Sequence, residues 1–422
     1  MIDFLVSILS NPAIILGIIA AVGLIALRKS TSDIIKGTLK TLFGFLILQQ
    51  GSNIIVNSLV PFSTMFTEAF GLTGIVAEDN SLVAAVQTVL GKETALILIF
   101  SFLINIAIAR FTKYKYFFLT GHMMFSFAGT MAIVFNQMGV SSFWTIVIGS
   151  VIQGISMVIF PAISQPFVRK ITGNDNVAFG FWGSSWISLS GWIGGKLGNK
   201  EKSSESMKVP KSIDFLKDMS ILMGLIMIIV YVVTAIFVDP KVMAEISGGE
   251  NPFQFAIFQA LGFVVGILIL LQGVRMFLGE IVPAFKGIGE KIVPGAKPAL
   301  DVPIFFSFAP IAVTLGFLSA LVGGLIVTFI SSLLPVVVLP SVIGLFFMGG
   351  AAGVFGNATG GRRGAIISGF VLGFSWSLLV ALAYPLVDVT QYGIQGLWFA
   401  SPDAILVVII IRLIGMLFGI HI

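Results

Sequence analysis

Three ionisable side chains lie in apolar surroundings and could do chemistry. His122 lies in the run YKYFFLTGHMMFSFAG, seven residues beyond Lys115, which corresponds to ~10 Å along a helix. Asp301 follows a proline-containing break, GAKPALDVP, and Asp79 opens the run DNSLVAA. An ionisable residue inside a long apolar segment is costly and is by default functional. These three positions are therefore the first candidates for a site.

Each candidate has a functional and a structural interpretation. An imidazole at His122 can donate to a substrate hydroxyl or attract an anionic ring, or it can remain neutral and bond a backbone carbonyl. Asp301 can accept bonds from sugar hydroxyls and act as general base where a hydroxyl is phosphorylated. Alternatively it pairs with Lys297 or a helix N-terminus. Asp79, with Asn80 and Ser81, has the same options, and the DNS run is also typical of a helix cap.

Two further motifs could approach a ligand. The run GGAAGVFGNATGGRR, residues 349–363, is dense in glycine and contains Asn357. Small residues allow close helix packing or close approach of backbone to a ligand, so Asn357 is a candidate substrate contact. No GKT or GKS follows, which argues against a phosphate-cradling loop. Phe181 and Trp182 offer flat faces for a sugar ring, although aromatic residues are also common at membrane interfaces.

The composition excludes several kinds of site. The chain contains no cysteine, which excludes disulfides, thiolate metal sites and a phospho-cysteine on this chain. Its two histidines, His122 and His421, cannot build a histidine-rich metal centre. We therefore expect no metal and no cofactor. The net charge of +5 fits a positive-inside bias and does not call for nucleic acid.

The elements that position these residues are membrane helices. Of the 422 residues, 57% are apolar and 10% are charged, whereas soluble domains have about 25% charged residues. Apolar stretches of roughly 17 to 25 residues recur, each long enough to cross a bilayer as a helix. The sequence predicts an all-α polytopic membrane protein with about eleven spans, at 12–27, 41–60, 94–110, 116–136, 142–166, 219–238, 255–278, 303–332, 339–357, 365–386 and 403–420.

Clusters of basic residues set the orientation, because such clusters favour the cytoplasmic face. The cluster from Arg28 to Lys40 places the N-terminus outside and, with eleven spans, the C-terminus in the cytoplasm. The first span has no A-x-A-like cleavage site, so we interpret it as a mature helix. Further basic residues predicted to face the cytoplasm are Arg275, Lys286, Lys291 and Lys297.

A polar linker divides the chain. Residues 198–213, which include GNKEKSSESMKVPKS, are predicted to be a cytoplasmic linker between a first repeat (1–197) and a second repeat with a final helix (214–422). Three segments do not resemble simple spans: 61–92 and 283–302 are mixed in polarity, and 176–197 is predicted to be a re-entrant hairpin. Non-helical backbone is stable at membrane depth only where it is buried within the protein or lines a water-filled cavity.

The two halves contain an internal repeat. GFLILQQG at residues 44–51 matches GILILLQG at 266–273, an offset of 222 residues, and at the same offset Asp79 meets Asp301. Apolar segments also align by chance, but Gln-Gly and Asp are not residues that are common in membrane-spanning segments, so chance does not readily explain their match. Because five spans is an odd number, the second copy must be inverted. Inverted repeats are typical of alternating-access transporters with a midplane site, so we predict that both aspartates face one central cavity.

A family resemblance rests on four runs: LTGHMMF, LLQGVRMFLGEIVPAFKGIGEKIVPGAKPALD, FSFAP and GVFGNATGGRRGA. Together they resemble the ascorbate-type membrane permeases, the IIC components, of the bacterial phosphotransferase system. The resemblance implies a homodimer in the bacterial cytoplasmic membrane, with a substrate-carrying core, a V-shaped dimerisation domain and an elevator-like movement. It also implies cytoplasmic IIB and IIA partners, with the phosphoryl group carried on a cysteine of IIB.

The resemblance also implies functional residues. It places four residues at substrate-contacting positions of the family: Asn80, Ser81, His122 and Asp301. Two positions depart from the family pattern. Ascorbate permeases have a glutamine where this chain has Ser126, and a His-Gln pair where it has Phe181 and Trp182. The implied substrate is therefore ascorbate or a related sugar or polyol, with Asp301 as candidate general base.

Two classes of transport remain open at this point. In group translocation, import is coupled to phosphorylation and the chain is the membrane subunit of a phosphotransferase complex. In secondary transport, Asp301 and His122 would couple an ion or proton to a small polar solute. A non-transporting scaffold or receptor is disfavoured by the inverted repeat.

Overall fold

The computed structural model describes residues 12–207, 219–306 and 308–417, and most of this part is helical. The helices are α1 (Pro12–Ala26), α2 (Thr31–Phe70), α3 (Asp79–Ala85), α4 (Gln87–Phe111), α5 (Gly121–Gln137), α6 (Ser142–Thr172), α7 (Ser184–Leu197), α8 (Met219–Phe237), α9 (Pro240–Ile246), α10 (Pro252–Ile292), α11 (Val302–Phe306), α12 (Pro310–Ser331), α13 (Val342–Gly344), α14 (Gly350–Ala383) and α15 (Pro402–Leu417). A π turn at Leu345–Gly349 joins α13 to α14.

Many helices are long and apolar. Within the described residues, six helical stretches are long and apolar enough to cross a membrane: Thr31–Phe70, Gln87–Phe111, Ser142–Thr172, Pro252–Gly273, Pro310–Ser331 and Val342–Leu386. Met223–Phe237 is a shorter apolar helix. These helices confirm the prediction of a mostly helical, multi-pass membrane protein.

The stretch that includes α14 reverses direction in its middle. Gly360 and Gly361 leave the helical conformation, with φ of −139° and +61°. A Cβ added to Gly356 would lie 2.4 Å from the carbonyl oxygen of Gly364, although residues eight apart in a straight helix are ~12 Å apart. The chain therefore turns back at Gly360 and Gly361, and the positive φ of Gly361 favours glycine. The predicted spans 339–357 and 365–386 lie on either side of this turn.

The repeated motif brings α2 and α10 into close contact. The last glycine of GFLILQQG, Gly51, lies against α10, where an added Cβ would be 2.4 Å from the backbone nitrogen of Leu270. Conversely, a Cβ on Gly273, the last glycine of GILILLQG, would be 2.3 Å from the nitrogen of Leu48. Each motif thus supplies the glycine that lets the other motif's backbone approach, as in small-residue membrane interfaces.

Six short strands form two parallel sheets, which the all-α prediction did not include. The strands are β1 (Gly74–Ala77), β2 (Tyr116–Phe118), β3 (Ala178–Phe179), β4 (Lys297–Leu300), β5 (Val337–Leu339) and β6 (Leu397–Trp398). Sheet A has the order β5-β1-β6, and sheet B has the order β2-β4-β3. In each sheet the central strand comes from one half of the chain and both outer strands come from the other half.

The strands lie in the segments that did not resemble simple spans. In 61–92, α2 continues to Phe70, and β1 and α3 follow. In 283–302, α10 continues to Ile292 and is followed by β4. The predicted re-entrant segment 176–197 contains β3 and α7. The sheets satisfy backbone groups that irregular chain would leave unpaired inside a helical membrane protein.

The strand register gives a residue-by-residue correspondence between the sheets. Gly74 pairs with Val337 in sheet A, and Lys297 pairs with Tyr116 in sheet B. These pairs have the same place in their sheets, so Gly74 corresponds to Lys297, an offset of 223 residues. Continuing along the central strands, Glu78 corresponds to Asp301. The register thus differs by one residue from the sequence offset, which matched Asp79 to Asp301.

Candidate functional site

A central cavity lies where the strands end and the next helices begin. It contains about 910 Å³ of empty space, part of which is open to solvent. All six strand-to-helix junctions contribute lining residues, among them Asn80, His122, Phe181, Asp301, Ser341 and Ser401. The helix α10 adds Leu271 and Arg275.

The topology explains this convergence. In a parallel sheet the carboxyl ends of the strands meet at one edge, and each strand here leads into a helix. Helix N-termini present backbone N–H groups and the positive end of the helix dipole. A cavity between such junctions offers hydrogen-bond donors from the backbone, and the carboxylates and amides at the junctions add acceptors. This environment suits a small polar ligand.

His122 and Asp301 meet at the cavity wall. His122 is the second residue of α5, and its Nδ1 lies 3.8 Å from Oδ2 of Asp301. The side chains are 25% and 33% exposed, so neither is sealed in the protein. The other carboxylate oxygen of Asp301 accepts a hydrogen bond of 2.7 Å from the backbone N–H of Val302. One oxygen of Asp301 therefore positions the carboxylate, and the other faces the imidazole.

Lys297, the alternative partner proposed for Asp301, bonds elsewhere. Its Nζ donates to Asp175, whose carboxylate also accepts from Nε of Arg169 at 2.8 Å and from Nε2 of Gln165 at 2.7 Å. The hydrogen bond from Arg169, followed by that from Lys297, holds the pKa of the Asp175 carboxyl well below its usual range. This network ties the end of α6 to the start of β4 and leaves Asp301 free to face the cavity.

The two buried carboxylates after β1 are already hydrogen bonded. Glu78 accepts a bond of 2.5 Å from the N–H of Ser81 and caps α3, so the residue before Asp79 is the cap. Asp79 accepts from the N–H groups of Ala400 and Ser401 at 2.8 and 2.9 Å, and from the Ser401 hydroxyl. Asp79 thus holds the junction between β6 and α15.

Asn80 differs from its neighbours because part of its side chain is unpaired. Its Nδ2 lies 3.4 Å from Oε1 of Glu78, whereas its buried Oδ1 has no hydrogen-bond partner among the described residues. Since Asn80 lines the cavity, we regard that oxygen as a candidate acceptor for a ligand. Ser81, next to it, is fully buried and does not belong to the cavity lining.

Three predicted contact residues lie outside the cavity lining. Trp182 is fully buried, stacks on Phe118 at 4.6 Å, and donates from Nε1 to the Met123 carbonyl at 2.5 Å. The hydroxyl of Ser126 bonds that same carbonyl at 3.0 Å. Asn357 accepts from the N–H of Ser204 at 2.9 Å and so fastens the linker to α14. In this arrangement the side chains of Trp182, Ser126 and Asn357 make hydrogen bonds within the protein and have structural roles. Phe181, in contrast, lines the cavity.

Sequence patterns did not point to Glu78 or Ser401, and they indicated only that Arg275 belongs to a basic cluster. Arg275 is exposed on α10 and lines the cavity, so it adds a positive charge to a lining that also contains Asp79 and Asp301. The available signal was an arginine within the apolar run LLQGVRMFLG. Among the described residues, no group of three or more His, Asp or Glu side chains is arranged to hold a metal ion.

Known proteins resemble the chain over most of its length. The sequence model of the family described as PTS system sugar-specific permease component matches residues 7–403. An ascorbate-specific PTS system EIIC component from Mycoplasma pneumoniae is 28% identical over 436 aligned positions, which cover 90% of this chain. The chain spans 66% of the length of that relative.

The family match covers both halves of the chain and every junction that lines the cavity. It also agrees with the apolar helices that could cross a membrane. The resemblance found in the motifs is thereby confirmed: the chain belongs to the sugar-specific permease components of the phosphotransferase system.

Proposed function

We propose that this chain is a membrane IIC permease that imports ascorbate or a related sugar or polyol and presents it to a phosphorylated cytoplasmic IIB protein. The observation that carries the proposal is the pairing of His122 with Asp301, 3.8 Å apart, in a cavity lined by all six strand-to-helix junctions. The family match and the similarity to an ascorbate-specific relative support the substrate class.

The proposed chemistry uses the partly exposed carboxylate of Asp301. A substrate hydroxyl hydrogen bonded to Oδ2 would attack the phosphorus atom of the IIB phospho-cysteine. The new O–P bond forms as the S–P bond breaks, the cysteine leaves as thiolate, and the hydroxyl proton passes to Asp301. His122 would bind a neighbouring substrate oxygen and orient the ring. Asn80 Oδ1 would accept from a second hydroxyl.

The domain organisation is part of the same proposal. We assign residues 1–197 to the first repeat, 198–213 to a cytoplasmic linker, and 214–422 to an inverted second repeat with a final helix. The reciprocal exchange of strands between sheets A and B supports two equivalent halves, and so does the mutual packing of the two repeated glycine motifs. About eleven spans with the N-terminus outside follow from this assignment.

The movement and assembly that we propose follow from the family resemblance. The cavity, both sheets and the short helices α3 and α11 would form a core that moves as one body against a V-shaped dimerisation domain. The chain would act as a homodimer in the bacterial cytoplasmic membrane. The family match favours this group translocation over an ion- or proton-coupled secondary transporter that uses His122 and Asp301 as coupling groups.

The test is uptake of labelled ascorbate, and of a panel of labelled sugars and polyols, by vesicles that contain the purified protein. Each experiment is run with IIB, IIA and the phosphoryl-donating enzymes, without IIB, and with an imposed proton or sodium gradient alone. The proposal expects phosphorylated product inside only when phosphorylated IIB is present. Uptake of unmodified solute driven by a gradient would support the secondary transporter instead.

A further inference from the structure

The central cavity is lined by one permanently charged cation, Arg275. Among the described lining residues, the carboxylates are those of Glu78, Asp79 and Asp301, and the guanidinium is that of Arg275. A guanidinium stays protonated in proteins and donates hydrogen bonds in a planar fork. His122, also in the lining, is charged only when it is protonated. The proton transfer proposed for Asp301 does not use Arg275.

Arg275 lies towards the end of α10 that is predicted to reach the cytoplasm. It follows Leu271, the other lining residue of this helix, by about one turn. Glu280, five residues or ~8 Å further along the helix, pairs with Lys40 at 3.0 Å. Lys40 belongs to the basic cluster that predicts the cytoplasmic face. A phosphoryl group carried by a cytoplasmic protein would therefore approach the cavity from the side on which Arg275 lies.

The guanidinium of Arg275 has no partner within the described part of the chain. It is exposed, and it makes no hydrogen bond or ion pair with a described residue. Other cations of the protein differ in this respect, because Arg169 and Lys297 both bond the carboxylate of Asp175. The charge of Arg275 is therefore not neutralised by a neighbouring carboxylate.

The proposed transfer brings negative charges together. A phosphoryl group has a charge of about −1.5 to −2 at neutral pH, and Asp301 must be ionised to accept the hydroxyl proton. Glu78 and Asp79 also place carboxylates in the lining. Like charges repel each other more strongly where water is partly excluded. Proteins that transfer phosphoryl groups therefore place a cation such as Arg, Lys or Mg²⁺ against the phosphoryl oxygens.

We infer that Arg275 holds the phosphoryl group while it passes from the IIB cysteine to the substrate hydroxyl. This inference rests on the proposed function and adds a catalytic residue to it. In this step the O–P bond forms as the S–P bond breaks, the cysteine leaves as thiolate, and the proton passes to Asp301. Arg275 donates hydrogen bonds to two non-bridging oxygens, which its planar fork fits, and it exchanges no proton. It stabilises the transition state of transfer rather than the bound substrate.

The test separates transfer from binding. The purified full-length protein is reconstituted in vesicles with phosphorylated IIB and labelled ascorbate, and initial rates are measured over a range of both. Arg275→Gln removes the charge and keeps a polar side chain. We expect the maximal rate of ascorbate phosphorylation to fall about a hundredfold or more. The affinity for ascorbate, measured by calorimetry, and the KM for phosphorylated IIB should change little.

Matched variants control for structural effects. Arg275→Lys keeps the charge without the planar fork, so its maximal rate should lie between those of the wild type and Arg275→Gln. Arg110→Gln removes an exposed arginine at the end of α4, outside the cavity lining, and should keep the wild-type rate. If Arg275→Gln does not fold, Arg275→Met, which is also uncharged and unbranched, takes its place in the experiment.

The outcomes separate this inference from the proposed function. A wild-type maximal rate in the Arg275→Gln protein would overturn the inference alone. So would a weakened affinity for ascorbate with the full rate restored at saturating ascorbate, because Arg275 would then be a substrate-binding residue. A raised KM for phosphorylated IIB with an unchanged maximal rate would overturn it as well and make Arg275 a docking residue. If the wild-type protein phosphorylates neither ascorbate nor any sugar or polyol of the panel, the proposed function is wrong and the inference falls with it.

Discussion

Glu78 and Asp301 stand at the same register position, directly after the central strands of the two sheets. Glu78 is buried, and its carboxylate caps α3 by accepting a hydrogen bond from the backbone N–H of Ser81. Asp301 is one-third exposed and lies 3.8 Å from His122. Both residues line the cavity, but the two equivalent carboxylates have different tasks, because that of Glu78 is hydrogen bonded within its junction and that of Asp301 is partly exposed beside His122.

His122 should contribute to ligand binding. Replacing His122 with alanine removes one hydrogen bond to the substrate, which costs about 1–3 kcal/mol, and should weaken ascorbate binding accordingly. Titration calorimetry of the purified protein measures the change, and size-exclusion chromatography checks that the assembly is intact. Lys113→Ala, in the exposed loop before β2, serves as control. Unchanged affinity in the His122→Ala protein would assign the histidine a structural role.

Asp79 should matter for stability. Asp79→Ala leaves the N–H groups of Ala400 and Ser401 without their acceptor, a loss of about 1–3 kcal/mol for each buried donor. The thermal unfolding midpoint in detergent should fall, and Asp79→Asn should recover part of the loss because its amide oxygen still accepts. The exposed Glu68→Ala provides the comparison. An unfolding midpoint as high as that of the wild type would show that the junction does not depend on Asp79.

The close approach of α2 and α10 should tolerate no added methyl group. In Gly273→Ala the new Cβ would lie 2.3 Å from the backbone nitrogen of Leu48, and overpacking of this kind costs about 1–3 kcal/mol. Gly279→Ala, six residues further along the same helix, meets nothing within 4 Å among the described residues. We expect a lower unfolding midpoint for the first variant alone. Equal midpoints would refute the tight contact.

The network around Asp175 predicts a pH dependence. Its pKa is lowered in the folded protein by Arg169 and Lys297. A lowered folded-state pKa means that the stabilisation is complete above the unfolded pKa of about 3.9 and is lost as the pH falls through the folded pKa. The difference in unfolding midpoint between wild type and Asp175→Asn should therefore be constant near neutral pH and shrink below about pH 4. Because the carboxylate is partly exposed, added salt should also reduce this difference in unfolding midpoint. A difference that grows towards low pH would contradict the network.

The spans were predictable, but the small sheets were not. Long apolar runs define helices such as α4 and α12 on composition alone. In contrast, β3 has two residues, Ala178 and Phe179, too few for any periodicity to appear. Such strands form only because the other half of the chain supplies their neighbours, which is a long-range effect that local sequence does not contain.

The site residues that were predictable from the sequence are ionisable residues within apolar segments, and the other site residues were less predictable. His122 and Asp301 stood out because ionisable residues at membrane depth are rare. The internal repeat matched Asp79 to Asp301 because the two residues are identical, whereas the strand register matches Glu78 to Asp301. For the other candidates, the direction of the side chain determines whether the residue reaches the cavity, and this direction was not predictable from the sequence. Trp182 packs in the core and Phe181 lines the cavity, although the two are adjacent aromatic residues.

Asp301 is the residue on which the proposed phosphoryl step depends, and Asp301→Asn tests it most directly. Asparagine keeps the size and an acceptor oxygen but cannot take the hydroxyl proton. We therefore predict that the Asp301→Asn protein retains much of its substrate binding and loses most phosphorylation when reconstituted with phosphorylated IIB. Joint loss of binding and phosphorylation would make Asp301 chiefly a binding residue. Phosphorylation at a rate near that of the wild type would contradict its role as the base.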